Sequence, residues 1–454
     1  MGNKRQGKKK GRVLQMPAKK VAALVMASTL VGVIGAGCGT APSASHPPSS
    51  PTASGPVSIT FMEAMSSGTL KTAMQSLVSQ FEKSHKNMTV NLEVEPSYGV
   101  LKTKIEASVT AGQAPTIAQA YEDWAAGYAN SGAIVPLNSY VNGSHGITAQ
   151  EKSQIWPGVW ADQFLPDGKI WMWPFNKSDF VMYYNKTWLK KANLPVPTTW
   201  AQFASDAQAV TSSSANTWGV SIDPGSSSGA ANGTYFFVAL IRAYGGHLMK
   251  KGKPTFDTAA SRAALSYVVH MYQNGSMKFG TNYPGQTAMG AGHGLFDLST
   301  IASYYYNEQA IGGKFAMGVA SFPKGPSGEG NVMQGTNIVM FSSASTLQKN
   351  AAWTFMKWLS EPAQTAYWAT HTGYLPVTRA ALPLMTTYYN THPYQKIAAD
   401  SLANARPTPP VAGMAEAIGA LSNAIQAATI AHQSVSHALA TAQSQAIQDL
   451  ASAK

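Results

Sequence analysis

Glu122 and Asp123 stand side by side just past a short apolar run, Thr116 to Ala120, and Trp124 follows at once. Carboxylates at the end of a strand are hydrogen-bond acceptors in an open position, where acceptors are useful. Ser97 and Tyr98 follow the alternating run Met88 to Val94 (MTVNLEV) in the same way. In Ile170 to Phe175 (IWMWPF), Trp171 and Trp173 are two residues apart, so as a strand they turn both indoles to one face. Such a face is either core or a platform for the C–H faces of a polyhydroxylated molecule.

Hydrolytic chemistry has weaker footing. Gly225, Ser227 and Gly229 satisfy G-x-S-x-G, but they lie in DPGSSSGAANG, a serine-glycine loop after a proline rather than a strand-to-helix elbow. The chain has no H-E-x-x-H, no P-loop, no cysteine pair and no carboxylate cluster spaced for calcium, so no metal and no cofactor is expected. A glycosidase needs two carboxyl groups facing each other across roughly 5 to 9.5 Å. Adjacent Glu122 and Asp123 point apart, and only a distant partner such as Asp297 would rescue that reading, which stands second as a secreted glycoside-acting enzyme.

The elements that would position these groups alternate. Val57 to Met62 reads as a strand, Gly68 to Phe81 as a helix, Met88 to Val94 as a strand, Val100 to Val109 as a helix and Thr116 to Ala120 as a strand. That order predicts an α/β fold with a largely parallel sheet, whose ligands gather beyond the carboxyl ends of strands. The densest punctuation lies in Pro174 to Gln202. There Asp179 to Tyr184 (DFVMYY) is strand-like, and the next helix ends on Lys190 and Lys191 with Asn193 placed for a left-handed turn. Pro195 and Pro197 stop it, and Thr199 with Gln202 makes a capping box for the helix that follows. A second series reads Trp218 to Ile222 as a strand, Tyr235 to Tyr244 and Ala259 to Gln273 as helices, and Ile338 to Phe341 as a strand. Gly335, just before it, would let backbone approach a ligand closely, with Thr336 beside it. Ala351 to Leu359 is an amphipathic helix, and the alanine-rich tail Met414 to Leu450 reads as helix with no chemistry of its own.

Of 454 residues 44% are hydrophobic and only 12% charged, which suits large cores and two or three domains. The net charge of +12 invites a nucleic-acid reading, yet eight of those cations, Lys4 to Lys20, crowd the N-terminus with no acid among them. Removing eight leaves +4 for the remainder, too little for a phosphate-binding footprint. After the basic start, Val21 to Gly37 carries no charge, as in an export signal, and Cys38, the only cysteine, cannot form an internal disulfide. Gly39 to Pro56 is a proline- and serine-rich spacer.

The ordered motifs resemble those of family 1 extracellular solute-binding proteins, the receptors of ABC importers for sugars and polyols. The set comprises AGQAPTIAQAYEDW, YANSGAIVPLNSYV, YYNK with PVPTTW, the GGHLMKKGKPTFDTAASRAAL unit, GQTAMGAGHGLFDLSTI, VASFP and THTGYLPV. The form AP-x-I-x-Q-x-YE is close to the glycerol-phosphate-binding branch. Cys38 resembles the lipidated first residue of a bacterial lipoprotein, although Gly35 stands where a large aliphatic residue is usual.

The resemblance implies a two-lobe periplasmic-binding-protein-like fold of type II, its discontinuous lobes joined by a hinge with crossings near Asn176, Val319 and Trp368. The expected division is 1–37 export signal, 38–56 spacer, 57–176 and 320–368 lobe 1, and 177–319 and 369–454 lobe 2. The implied ligand contacts are Tyr98, Glu122, a hinge hydroxyl from Ser178, the glycine-rich turn with His293 and Asp297, and Tyr374. Asp123, Trp124, Trp173, Gly335 and Thr336 join them from the reading of the residues. The expected partners are a carbohydrate or polyol ligand, the permease subunits of an ABC importer, and the outer face of the cell membrane through lipidated Cys38. A monomer is expected. In the glycerol-phosphate branch an arginine holds the phosphate, but PVAGMAEAIG puts Ala415 at that place, so a neutral sugar or oligosaccharide is favoured over a glycerophosphodiester.

Overall fold

The computed structural model of the protein describes residues 55–225 and 232–453. The leader, Cys38, most of the spacer, and Ser227 and Gly229 lie outside them. Eleven strands are described: β1 (Val57–Glu63), β2 (Met88–Val94), β3 (Ile117–Ala120), β4 (Trp173–Asn185), β5 (Trp218–Ile222), β6 (Met249–Lys250), β7 (Lys253–Pro254), β8 (Met277–Phe279), β9 (Gly294–Thr300), β10 (Met317–Ser321) and β11 (Met333–Met340). Nine of them form one sheet, ordered β2-β1-β3-β11-β4-β9-β5-β8, with β10 on β4.

β4 organises that sheet. Its thirteen residues are all buried, and the first half pairs with β11 while the second pairs with β9 and β10. β1, β2 and β3 run parallel on one side and β5, β8 and β9 on the other, but β11 lies antiparallel to β3 and β4, and β9 antiparallel to β4. The sheet is therefore mixed, where the alternating order of elements predicted a largely parallel one. Returning crossings after Thr300 and Ser321 bring later strands in beside β4, and the order of elements alone does not show which neighbour a returning strand takes.

Local signals mostly act as expected. The Gly68–Ser84 helix buries Met74, Leu77 and Phe81, and Ser97 caps the Tyr98–Thr110 helix by accepting from Val100 N. Asn193 adopts φ 55°, and Thr199 accepts from Gln202 N at the head of the Trp200–Ala209 helix. The Gln202 amide reaches Thr198 N rather than Thr199, so the capping box closes one residue early. Around GQTAM the chain forms the helix Pro284–Gly290, because Pro284 opens a helical turn, and the following strand starts only at Gly294.

Each half of the sheet is covered on both faces. Phe61, Phe81, Phe175 and Phe355 pack on one face of the first half, and Met62, Leu101, Ile105 and Trp124 on the other. The second half lays Phe180, Met182 and Phe296 against the Asn232–Ala243, Ala259–Gln273 and Met414–Thr429 helices. Trp368, expected at a crossing, is buried against Phe175 at 5.1 Å, and Leu375, Met385 and Ala405 continue the same core. The chain passes from that core to the Met414–Thr429 helix only at Arg406 to Gly413, where Val332 bridges to Arg406. The periodicity of the 362–372 helix reports a buried face but not which core receives it.

Candidate functional site

Tyr121 follows β3 directly and stands at the N-cap position of the Glu122–Asn130 helix, which sets Glu122 and Asp123 in that helix's first turn. Carboxylates are favourable there against the positive helix end. Tyr98 opens its own helix nearby, and Tyr98, Tyr121 and Trp124 form an edge-to-face series with centroids 5.3 and 5.2 Å apart. These groups line a cavity of about 520 Å³. Its floor is Met333, Gln334 and Gly335 of β11, and its far wall is Thr234, Tyr235 and one face of the Met414–Thr429 helix, with Asp449 at the rim. Both halves of the sheet therefore contribute to one cleft.

The floor requires Gly335. Its φ is +103°, and a Cβ there would lie 1.8 Å from the Asn176 carbonyl oxygen. Thr336, fully buried, stands behind the cleft rather than in it. It donates to Asn176 Oδ1 at 2.5 Å and accepts from Gln119 Nε2 at 3.1 Å, while Gln119 Oε1 accepts from Ala64 N at 2.7 Å. Asn176 Nδ2 then donates to Tyr98 OH at 3.0 Å, and the Tyr98 and Tyr374 hydroxyls are 3.5 Å apart. A relay of side chains thus fixes Asn176 and the two phenols that border the cleft. Burial pushes both phenols upward from the ordinary tyrosine range, so they remain neutral donors.

Under Glu122 lies a second buried network. Lys177 and Asp162 pair at 2.6 Å with neither side chain exposed, and Asn337 Nδ2 donates to Asp162 Oδ2 at 2.8 Å. Burial holds the Glu122 carboxyl well above its ordinary range, nearby Asp162 raises it further, and Lys177 offsets part of this. Burial thereby favours the neutral form of the Glu122 carboxyl, which can donate as well as accept. Asp123 is pushed up to about 6, by burial first and then by the field of Glu416 from the opposite wall.

Among the expected site residues, Tyr98, Glu122, Asp123, Trp124 and Gly335 line this cleft, and Tyr374 adjoins it through Tyr98. Besides Thr336, behind the cleft, four others lie elsewhere. Trp173 is fully buried, its Nε1–H on Ser360 Oγ and its ring edge-on to Trp353, so it belongs to the core. Ser178 is buried on β4 opposite Gln334, and Gln334 is the residue that reaches the cavity. His293 stacks on Trp218, at the opening end of β5 and β9 rather than at the carboxyl ends of strands. Asp297 is buried in β9, accepts from Asn307 Nδ2 at 3.0 Å, and is pushed up to about 6 by burial. Trp171 lines a separate, largely apolar cavity of about 790 Å³ beside Leu165, Val411 and Ile447, its indole N–H held by Asp167.

The sequence reading passed over Lys102, Tyr235 and the Met414–Thr429 helix. In that helix Ala415, Gly419 and Asn423 follow one another at i, i+4 spacing and all line the cleft. The small residues on that stripe are the signal that could have found it: they leave room beside a helix whose other face carries Ala417, Leu421 and Ile425 into the core.

Comparisons with known proteins agree with this geometry. Residues 76–395 match the family described as bacterial extracellular solute-binding protein. The sn-glycerol-3-phosphate-binding periplasmic protein UgpB of Pectobacterium atrosepticum is 26% identical over 368 residues, covering 76% of this chain and 80% of that protein. Among solved structures, the cyclic alpha-maltosyl-1,6-maltose binding protein from Arthrobacter globiformis superposes with a TM-score of 0.74 at 23% identity, covering 87% of this chain and 99% of that one. UgpB from Mycobacterium tuberculosis, in complex with glycerophosphocholine, gives 0.73 at 20% identity, covering 88% and 99%. With the family match spanning residues 76–395, most of the chain, and a two-lobe fold shared over 87% of it, the protein belongs to the bacterial extracellular solute-binding proteins.

Proposed function

We propose that the protein captures a sugar or oligosaccharide in the cleft between its two lobes and hands it unaltered to the membrane permease of an ABC importer. The observation that carries this reading is the cleft itself. Aromatic side chains (Tyr98, Tyr121, Trp124, Tyr235) stand among hydrogen-bonding groups (Gln334, Asn423 and the buried carboxyl of Glu122) contributed by both lobes. A solute touching both walls stabilises the closed form by the contacts it gains only there, which is the differential affinity that drives closure. The lobes are read as 57–176 with 320–368, and 177–319 with 369–454.

A glycerol 3-phosphate or glycerophosphodiester ligand is the second reading, favoured by the name of the relative in Pectobacterium. The cleft supports it less: among its described residues Lys102 is the one cation, already paired with Glu106 at 2.7 Å, and Ala415 stands where a phosphate-binding arginine would be needed. Thermal-shift screening of the purified protein against mono- and oligosaccharides, glycerol 3-phosphate and glycerophosphocholine, followed by calorimetry, separates the two. Saturable 1:1 sugar binding without turnover is expected. Cleavage of an oligosaccharide would instead revive the glycosidase reading.

Cys38 is proposed as the lipid anchor holding a monomeric receptor outside the cell membrane. Mass spectrometry of the membrane-bound protein tests this, with Cys38→Ser expected in the soluble fraction.

A further inference from the structure

The charges around the cleft are lopsided. Glu122, Asp123, Glu416 and Asp449 line it, against Lys102 alone, and no arginine or histidine is among the described lining residues. Lys102 pairs with Glu106 at 2.7 Å, and its charge also reaches Asp123 and Glu416, so one lysine is shared among several carboxylates. Asp123 and Glu416 open two different helices on opposite walls, and neither has an ion-pair partner within 4.0 Å among the described residues, while Asp449 accepts only from the neutral amide of Gln445 at 2.8 Å. The two walls therefore bring carboxylates toward each other, and closing the cleft raises their mutual repulsion unless a positive charge enters between them.

The surroundings suit such a charge. Tyr98, Tyr121, Trp124 and Tyr235 present ring faces and phenolic oxygens around the acids, and a cation is attracted to aromatic faces as well as to carboxylates. Tyr235 is close enough to Asp123 and Glu122 for their charges to act on its phenol. A phosphate in the same place would face three carboxylates with one shared lysine.

Taking the two-lobe capture reading above as its premise, we infer that the captured sugar carries a protonated amine, seated between Asp123 and Glu416, so that the ligand is an amino sugar or an oligomer containing one. The ammonium group supplies three donors to the two carboxylates, and the ring hydroxyls meet Gln334, Asn423 and Glu122. The amine thus adds to what Lys102 supplies only from the side: it places a positive charge directly in the gap that closure creates.

The test uses matched pairs of equal size, glucosamine against glucose and the β-1,4-linked glucosamine dimer against cellobiose, titrated calorimetrically into the purified protein at pH 6 and low salt. At least tenfold tighter binding of the amine-bearing member is expected in one pair. That preference should shrink several-fold in 0.5 M salt, and should fall toward unity in Glu416→Gln and in Asp123→Asn, each checked for an unchanged melting transition. Equal or tighter binding of the neutral member ends the inference while leaving sugar capture intact. Tighter binding of glycerol 3-phosphate or glycerophosphocholine than of any amino sugar, or no binding of any sugar, overturns both.

Discussion

Lys177 and Asp162 form an ion pair with no exposure of either side chain, and the pair modifies what burial does to Glu122 above it. Taking one partner away leaves a buried charge uncompensated. Lys177→Met is therefore expected to lower unfolding free energy by about 3–5 kcal/mol, measurable by urea titration, whereas a change below 1 kcal/mol would show that water reaches the pair. Glu122→Ala leaves the pair whole and removes a group that lines the cleft. It should weaken sugar binding about tenfold or more, the cost of one or two charge-assisted or buried hydrogen bonds, with little change in melting temperature. Unchanged affinity would remove Glu122 from the site. The residue types of the cleft were legible in part: Glu122, Asp123 and Trp124 announce themselves by following a strand. Trp173 and His293 did not, because a ring that binds a solute and a ring that fills a core are the same residue in the same alternation, and only the neighbours, Trp353 and Trp218, separate them.

Among the elements, the strand β11 and the Met414–Thr429 helix decide the shape of the cleft. Gly335→Ala puts a methyl group against the Asn176 carbonyl at a left-handed position, so β11 must shift away from β4. Destabilisation of roughly 2–4 kcal/mol is expected, together with loss of binding, since the Asn176–Tyr98 relay hangs on the same pairing. Ala415 is exposed on the wall and packs against no core, so Ala415→Trp should block solute binding while leaving the melting transition within a few degrees. Binding that survives this substitution would place the solute elsewhere. The secondary structure of both elements was readable from periodicity. Their meeting was not, because residues 335 and 415 are brought together by crossings near Ser321 and Arg406 that leave no periodic trace.

The molecule as a whole keeps several carboxyl groups away from water. Burial raises Glu63 to about 7, and Asp123 and Asp297 to about 6. An unfolded chain ionises these groups near their ordinary values, so between about pH 4 and 7 the unfolded state sheds protons that the folded state retains. The sign follows: stability is fully present below the ordinary carboxyl range and declines as pH rises toward 7. Melting temperature should be highest near pH 4.5 and fall by several degrees at pH 7.5. A maximum at neutrality would mean that other groups dominate. Such a profile suits a receptor exposed to an acidic medium, in keeping with the chain's sparse acid content.

The thirteen residues of β4 belong to both halves of the sheet at once, hydrogen-bonded to β11 at one end and to β9 and β10 at the other. Neither lobe, in consequence, is an inheritable module. A chimaera that exchanges one lobe with a relative must cut through this shared strand and match its register on both sides, and a fragment expressed alone would carry half a strand with raw edges. Heat should accordingly melt the pair in a single calorimetric step. Evolution of new ligand preference is steered toward replacement of side chains along the walls, not toward shuffling of jaws.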